Sequence, residues 1–501
     1  MSDTHRSSSI EWNLPQGIID YRCTVKRNRI LQFFVLFFVM TLASVSFAIP
    51  AFPGAEGFGA DSLGGRGGRV IKVTNLNDSG SGSFREAVTA SGARIVVFEV
   101  SGIINLNSDI RITRPYLTIA GQTSPGGVLI TGRRTVVQAH DVIVQHMRFR
   151  VGPPRNGANG DTLDALVLYG PGANHPPGVR DVIIDHCSFS WATDEVFSTA
   201  YGATDFTVQW SVISEGLKDG HPEGDHSKGA FFAGGSVEND VRGSFHHNYV
   251  AHNSARNPEI QHNLSNNGFS ILMDIRNNVI YNFYSASVGK ISRDASVNLV
   301  DNYVKPGPES TANAFEWRHS ASGTPRPTIY AYRNIGTTQD GSDPAAWNIA
   351  SGFSTSQTTP TGWRASVPHP NDPVTTTEMT SQYALEILDS VGASKPVRDS
   401  VDSRVVSDFR NGSGRIPNTV RYPEDYPTFA NPSAPVDNDD DGMADDWEIA
   451  NGLNTSSDDS ALDQDSDGYT NIEEYLHHLA DAVSNGPQAS RPGAPLALVA
   501  Q

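Results

Sequence analysis

VIVQHMRF (142–149), VIIDHCSF (182–189), FTVQWSVI (206–213), SFHHNYV (244–250), MDIRNNVI (273–280) and VNLVDNYV (297–304) are six versions of one short pattern. Each is an alternating apolar and polar stretch, then a His, Trp or Asn, then a second short apolar stretch. No heptad or helical period runs through them. A loose repeat at steps of roughly two to three dozen residues or more predicts stacked coils of short strands, an all-β solenoid, and not one closed sheet. Further strand-like runs precede the repeats at 94–100, 110–113, 116–120 and 128–132, and one more follows at 329–336. In the later copies an Asn recurs at one equivalent place, as Asn248, Asn278, Asn302 and Asn334. Asn tolerates a left-handed backbone, and stacked Asn side chains can bond one another, so these four predict a ladder.

The rest of the chain arranges itself around this stack. Its 501 residues suffice for a large core and more than one domain, and 46 Gly with 30 Pro suit many strands and turns. The glycine-rich stretch 52–69 reads as loop. Ser83 followed by Glu86 fits a capping box, predicting a short helix that covers the open end of the stack, where bare strand edges would invite association. Residues 379–391 read as an amphipathic helix packed on the coils. Residues 341–373 read as surface loop, 431–436 as a linker and 485–501 as a disordered tail.

Lys26, Arg27 and Arg29 precede a mostly apolar run, 30–47, and Ser46-Phe47-Ala48 offers a small-x-small cleavage site. Residues 1–48 are therefore expected to be an export signal, removed from a secreted, extracellular product that has no membrane segment. Cleavage would leave Cys187 as the one cysteine and no internal disulfide. The formal charge of −18 is concentrated: 437–474 holds 14 acidic residues and no Lys or Arg, and without them the remainder stands at −4. The near-neutral main body is compatible with an acidic polymer as ligand. No nucleic-acid partner is expected, and the chain is read as a monomer.

The acidic segment is patterned. Asp437-x-Asp439-x-Asp441-Gly442-Met443-x-Asp445-x-x-Glu448 fits the twelve-residue calcium loop at every ligand position, and Asp463-x-Asp465-x-Asp467-Gly468-Tyr469-x-Asn471-x-x-Glu474 fits it again. Side-chain oxygens at positions 1, 3, 5, 9 and 12, a backbone carbonyl at 7 (Met443, Tyr469) and Gly at 6 meet the demand of Ca2+ for six to eight hard oxygens. Residues 437–480 are expected to form an EF-hand-like structural module that loosens without metal.

The stretch FHHNYVAHNSARNP (245–258) resembles polysaccharide lyase family 1, the pectate lyases. So do VIIDHCSFSW (182–191) and GQTSPGG (121–127), and the motifs stand in that family's order over roughly 52–334. The resemblance implies a right-handed parallel β-helix over 49–430. It also implies cleavage of an acidic plant cell-wall polysaccharide, pectate or pectin, by β-elimination, with Ca2+ bridging the sugar carboxylate to protein acids. Carried over by position, Arg256 of Arg256-Asn257-Pro258 is the base that removes the C5 proton, and Lys228 binds the carboxylate. Asp164, with Asp161 as near alternative, and Asp194 are the calcium ligands. Two positions depart from the family pattern. Ser198 stands where a second acid is usual, and Gln261 where a second groove Arg is usual. Asp185 and His186 are read as structural.

Three other readings compete with a pectate lyase: a pectin lyase, a polygalacturonase-type hydrolase, and a non-catalytic carbohydrate-binding β-helix. A hydrolase needs two carboxylates at a set separation flanking the bond, and no Asp pair with a neighbouring His fits better than Arg256.

Overall fold

The computed structural model describes residues 49–481 apart from 156, 171–177, 235–239, 263–269, 285–287, 293–294, 311–316, 320–326 and 337–364. The expected export signal, the disordered tail and most of the 341–373 loop lie outside these residues. Three all-parallel sheets of ten, eight and eight strands run the length of the body, and each takes every third strand of the central coils in turn. This is a right-handed parallel β-helix, as the repeats predict. The repeat cores fall in the first sheet in strict register, with Val182 level with Val142 on one side and with Phe206 on the other. Alternate side chains (Val142, Val144, Val182, Ile184, Phe206, Val208) point inward and join one continuous apolar core.

The Asn ladder is present and fully buried over its first three rungs. The amide of Asn248 donates to Asn278 Oδ1 at 3.1 Å, Asn278 to Asn302 at 2.9 Å, and Asn302 to Asn334 at 2.9 Å. The same oxygens also accept the backbone N–H of the preceding rung. The ladder begins earlier than the asparagines: Ser211 N donates to Asn248 Oδ1, and Cys187 N to Ser211 Oγ. One expectation needs correction. The left-handed residue is the one before each rung (His247, Asn277, Asp301, Arg333), not the rung itself. That residue makes the corner between first and second sheets, and its side chain points outward while the Asn turns in.

Covering layers differ from face to face. The glycine-rich stretch after Ala51 is a strap across the outside of the first sheet, burying Ile143 and Ile183. Its amides bond side chains of three different coils, Phe58 to Ser244, Gly59 to Thr207 and Gly65 to Thr118. Only glycine permits so close an approach, since a Cβ on Gly59 would lie 2.2 Å from the Val182 carbonyl oxygen. Helix α1 (Phe84–Thr89) has the expected Ser83 cap and packs Phe84, Ala87 and Val88 onto the end of the core. Helix α2 (Ser381–Ser390), expected from the sequence, and helix α3 (Ser400–Asn411), which was not, cover the second sheet. Asp399 caps α3 and, with Asp402, holds the fully buried Arg150 at 2.6 Å each. Helices α4 (Asp445–Asn451) and α5 (Asn471–Asp481) follow the two acidic loops. Their apolar faces, with Met443, dock on Ile95, Val97 and Ala120 of the first sheet. None of these apolar layers includes a residue of the third sheet. Among the described residues, no helix is long and apolar enough to cross a membrane.

Candidate active site

The candidate residues gather on the third sheet, at the entrance to consecutive strands. Glu195 opens strand Glu195–Ala200 and stands level with Lys228, which opens Lys228–Gly234; Lys228 in turn bridges Ala255. Leu166 pairs with Phe197, so the chain two residues earlier brings Asp164 beside Glu195. Asp164, Glu195, Lys228 and Arg256 thus form a column across four coils. Register makes this column, because a parallel stack repeats the same turn position at every level.

Acidic groups cluster at one end of it. Oxygens of Asp164, Asp194 and Glu195 lie within 4.8 Å of one another. Asp164 is buried, accepts from Ser198 Oγ at 2.7 Å, and takes the Glu195 amide at 3.2 Å. Burial, with Asp194 adding its negative charge, pushes its carboxyl up to about 7. The departure at Ser198 is visible here: where a further acid would face this cluster, a hydroxyl donates to Asp164.

Arg256 sits at the other end. Its backbone is left-handed at φ 60°, a strained setting for a long side chain. The guanidinium ion-pairs with Glu195, lies 4.5 Å above the Phe231 ring, and stands 3.7 Å from Glu259. Gly229 lies beneath this turn, where any Cβ would come within 2.6 Å of the Arg256 carbonyl oxygen. Burial lowers the Lys228 ammonium, against a smaller opposing pull from Glu259. Gln261 continues on the neighbouring strand Glu259–His262, paired with Ala233 and Ser292.

Three residues absent from the sequence-based candidates belong here. Glu195 completes the acidic trio; its only signal was adjacency to Asp194. His221 and His226 stack with ring centres 3.7 Å apart beside the trio. His226 Nε2 is 3.4 Å from Asp194, and His221 Nε2 is 3.2 Å from Asp161. Asp161 is outside the trio, reaching it through His221, whose Nε2 is also 3.9 Å from Asp194, and its side chain is 55% exposed.

The two acidic tail loops turn at matching glycines. Gly442 and Gly468 have φ of 92° and 103°, and their amides donate to Asp437 and Asp463. Oxygens of Asp437, Asp439 and Asp441 converge within 4.8 Å. Glu448 is fully buried, and neither of its carboxylate oxygens has a hydrogen-bond partner. Burial and neighbouring acids push Asp441 to about 6 and Glu448 to about 7. Asp445 turns aside to hold Asn438, and Asn471 does the same for Gln464. In the second loop Asp463, Asp465 and Asp467 are exposed, and burial followed by the charges of Asp467 and Asp465 raises Glu474.

No family model matches the chain. Among curated proteins it is similar to a probable pectate lyase C of Aspergillus flavus, at 33% identity over 88% of this chain and 96% of that protein. A probable pectate lyase C of Aspergillus terreus is 32% identical over 89% and 97%. A putative pectate lyase of Arabidopsis thaliana is 27% identical over 32% of this chain and 41% of its own length. Among solved structures, a pectate lyase bound to a hexasaccharide is 15% identical, with TM-score 0.46, over 70% of this chain and 99% of that one. The major allergen of cedar pollen is 15% identical, with TM-score 0.42, over 73% and 93%. One-third identity carried through nearly the entire length of the fungal proteins is decisive: this chain belongs to the pectate lyase family and is a polysaccharide lyase.

Proposed function

We propose that the chain cleaves polygalacturonate by β-elimination, with Arg256 as base, Lys228 as the carboxylate anchor and Ca2+ held by Asp164, Asp194 and Glu195. The observation that carries this reading is the shared column: acid trio, Lys228 and Arg256 stand on one sheet, in consecutive coils, within reach of one bound polymer. A C5 proton is acidic only when negative charge spreading onto the adjacent carboxylate is stabilised. A bound Ca2+ supplies that stabilisation. The donor set suits it, being three hard carboxylates, one of them buried with its charge poorly compensated.

The remaining work falls to side chains. Lys228 fixes the carboxylate by a charge-assisted bond. Arg256 must turn from Glu195 toward C5 and, as the neutral guanidine once its own proton has passed to solvent, accept the C5 proton, which then goes to the oxygen of the departing sugar or to water. The C5–H electrons become the C4=C5 double bond as the C4–O bond to the departing sugar breaks. Metal held by Glu195 would occupy the carboxylate that now engages Arg256, so the two events are coupled. With Ser198 and Gln261 the cleft carries one acid and one cation fewer than the family pattern, so its grip on fully charged pectate is weaker than that pattern would give. Within the same reading, 1–48 is an export signal, the product is secreted, and 437–480 is an EF-hand-like calcium module. The buried, unpartnered oxygens of Glu448 support the last assignment.

The test is lyase assay on polygalacturonate and methylated pectin, read by the ultraviolet absorbance of the unsaturated uronide. Wild type should produce the chromophore, a strong chelator should stop it before the coils unfold, and Arg256→Lys should lower turnover at least about a hundredfold while polymer binding persists. A fall in viscosity with no chromophore would mean hydrolysis, and unchanged turnover in Arg256→Lys would remove the base assignment.

A further inference from the structure

A second group of ligating side chains lies at the corner of the first and second sheets, away from the column on the third. His146, Asp185 and His186 each offer an atom within 4.8 Å of the other two. The imidazoles of His146 and His186 stack at 5.1 Å, and His186 in turn stacks on Trp210. Both histidines are the left-handed corner residues of successive coils, which is why their rings project outward in line. They line a cleft of about 300 Å³ whose opposite wall is α5 of the tail, through His477 and Asp481.

Two features point to a ligand. His146 is 2% exposed, yet its Nδ1 has no hydrogen-bond partner. A buried ring nitrogen left bare costs stability unless something binds it. Asp185, by contrast, is held as metal-binding carboxylates are. Gln145 donates to Oδ2 at 3.2 Å, Gln209 to Oδ1 at 2.8 Å, and His186 Nδ1 lies 2.9 Å from Oδ1. Such an outer ring of amides fixes a ligand's direction.

We infer that His146, Asp185 and His186 form a binding site for a divalent transition-metal ion of the Zn2+ class, open toward the tail helix. Two imidazoles and one carboxylate are borderline donors that suit Zn2+ and disfavour Ca2+, which takes oxygen alone. The site is separate from the acid trio, so its occupancy is independent of the lyase reaction. A metal here would pin the coil corner against which the tail rests.

The test is calorimetric titration of the calcium-saturated full chain with Zn2+, alongside Co2+ titration read by visible absorption. Wild type should take up one equivalent that His186→Gln weakens at least about tenfold and that His226→Gln, in the other two-histidine cluster, retains. Zn2+ should raise the melting temperature of wild type and not of His186→Gln, while lyase turnover of His186→Gln stays at the wild-type level. His146→Gln should behave likewise; should that buried variant not fold, the partly exposed His186 position decides the question. No Zn2+ uptake by wild type, or uptake by His186→Gln equal to wild type, would overturn the assignment.

Discussion

Replacing Asn278 by Ala tests the Asn ladder as a load shared between coils. Asn278 Oδ1 accepts the backbone N–H and side-chain amide of Asn248 at 3.0 and 3.1 Å, and its Nδ2 donates to Phe245 O and Asn302 Oδ1 at 2.9 Å each. Truncation leaves the Asn248 N–H with no acceptor in a fully buried corner, at a cost of roughly 1–3 kcal/mol. The Asn248 side chain keeps Val208 O, and Asn302 Oδ1 keeps the Asn278 N–H, so those groups lose only the net value of a bond, about 1 kcal/mol each. The expected loss is about 3–5 kcal/mol. Asn334→Ala makes the internal control. It orphans a similar N–H, that of Asn302, but lies at the last rung and is 7% exposed, so water can substitute in part. Its loss should be smaller by about 1–2 kcal/mol. Equilibrium urea unfolding with calcium present, followed by circular dichroism, measures both. A cost under about 1 kcal/mol for Asn278→Ala, or equal costs at the two positions, would refute the idea that successive rungs support each other.

Asp402→Ala removes one of two carboxylates from the buried Arg150 and should cost about 3–5 kcal/mol, seen as a lowered melting temperature; a change under about 1 kcal/mol would contradict the pairing. Burial holds the His246 imidazole down at about 4 against an ordinary 6.5, so the unfolded chain takes a proton there that the native chain refuses. Stability should therefore be full above pH 6.5, fall as pH drops toward 4 by about 3 kcal/mol from this residue, and His246→Gln should flatten that dependence in pH-resolved melting. Ser198→Asp puts a carboxylate where the Ser198 hydroxyl now meets Asp164 at 2.7 Å. It should tighten calcium binding at the trio about tenfold by calorimetry and destabilise the metal-free protein; weaker binding would argue against metal there.

Much of this was legible in the sequence because a β-helix writes its period into the chain. The corner motif gave the first sheet, the asparagines gave the ladder, and Ser83 with Glu86 gave the end helix. Helix α3 escaped for a physical reason. Its inner face carries Asp402 and Asp408, which read as surface charges until Arg150 and His252, far off in sequence, are seen beneath them. Glu195 escaped similarly, since nothing local reveals that an arginine two coils later will be its ion-pair partner. The position of the left-handed residue was missed because His, Trp and Arg occupy it in most copies, whereas its usual tenants are Gly and Asn.

The docking of the tail alters what it means for this molecule to have ends. A solenoid whose units touch only their neighbours can fray from either terminus. Here the closing segment, 437–481, returns to the opening strap and first coils: Glu473 meets Arg66 at 2.9 Å, Asp437 meets Lys72 at 2.7 Å, and Met443 packs with Ile95 and Val97. The rod is buckled like a belt. Peeling away the opening strands requires releasing the closing segment first, so resistance to pulling, to proteases and to heat at one terminus is set by how firmly the other is fastened.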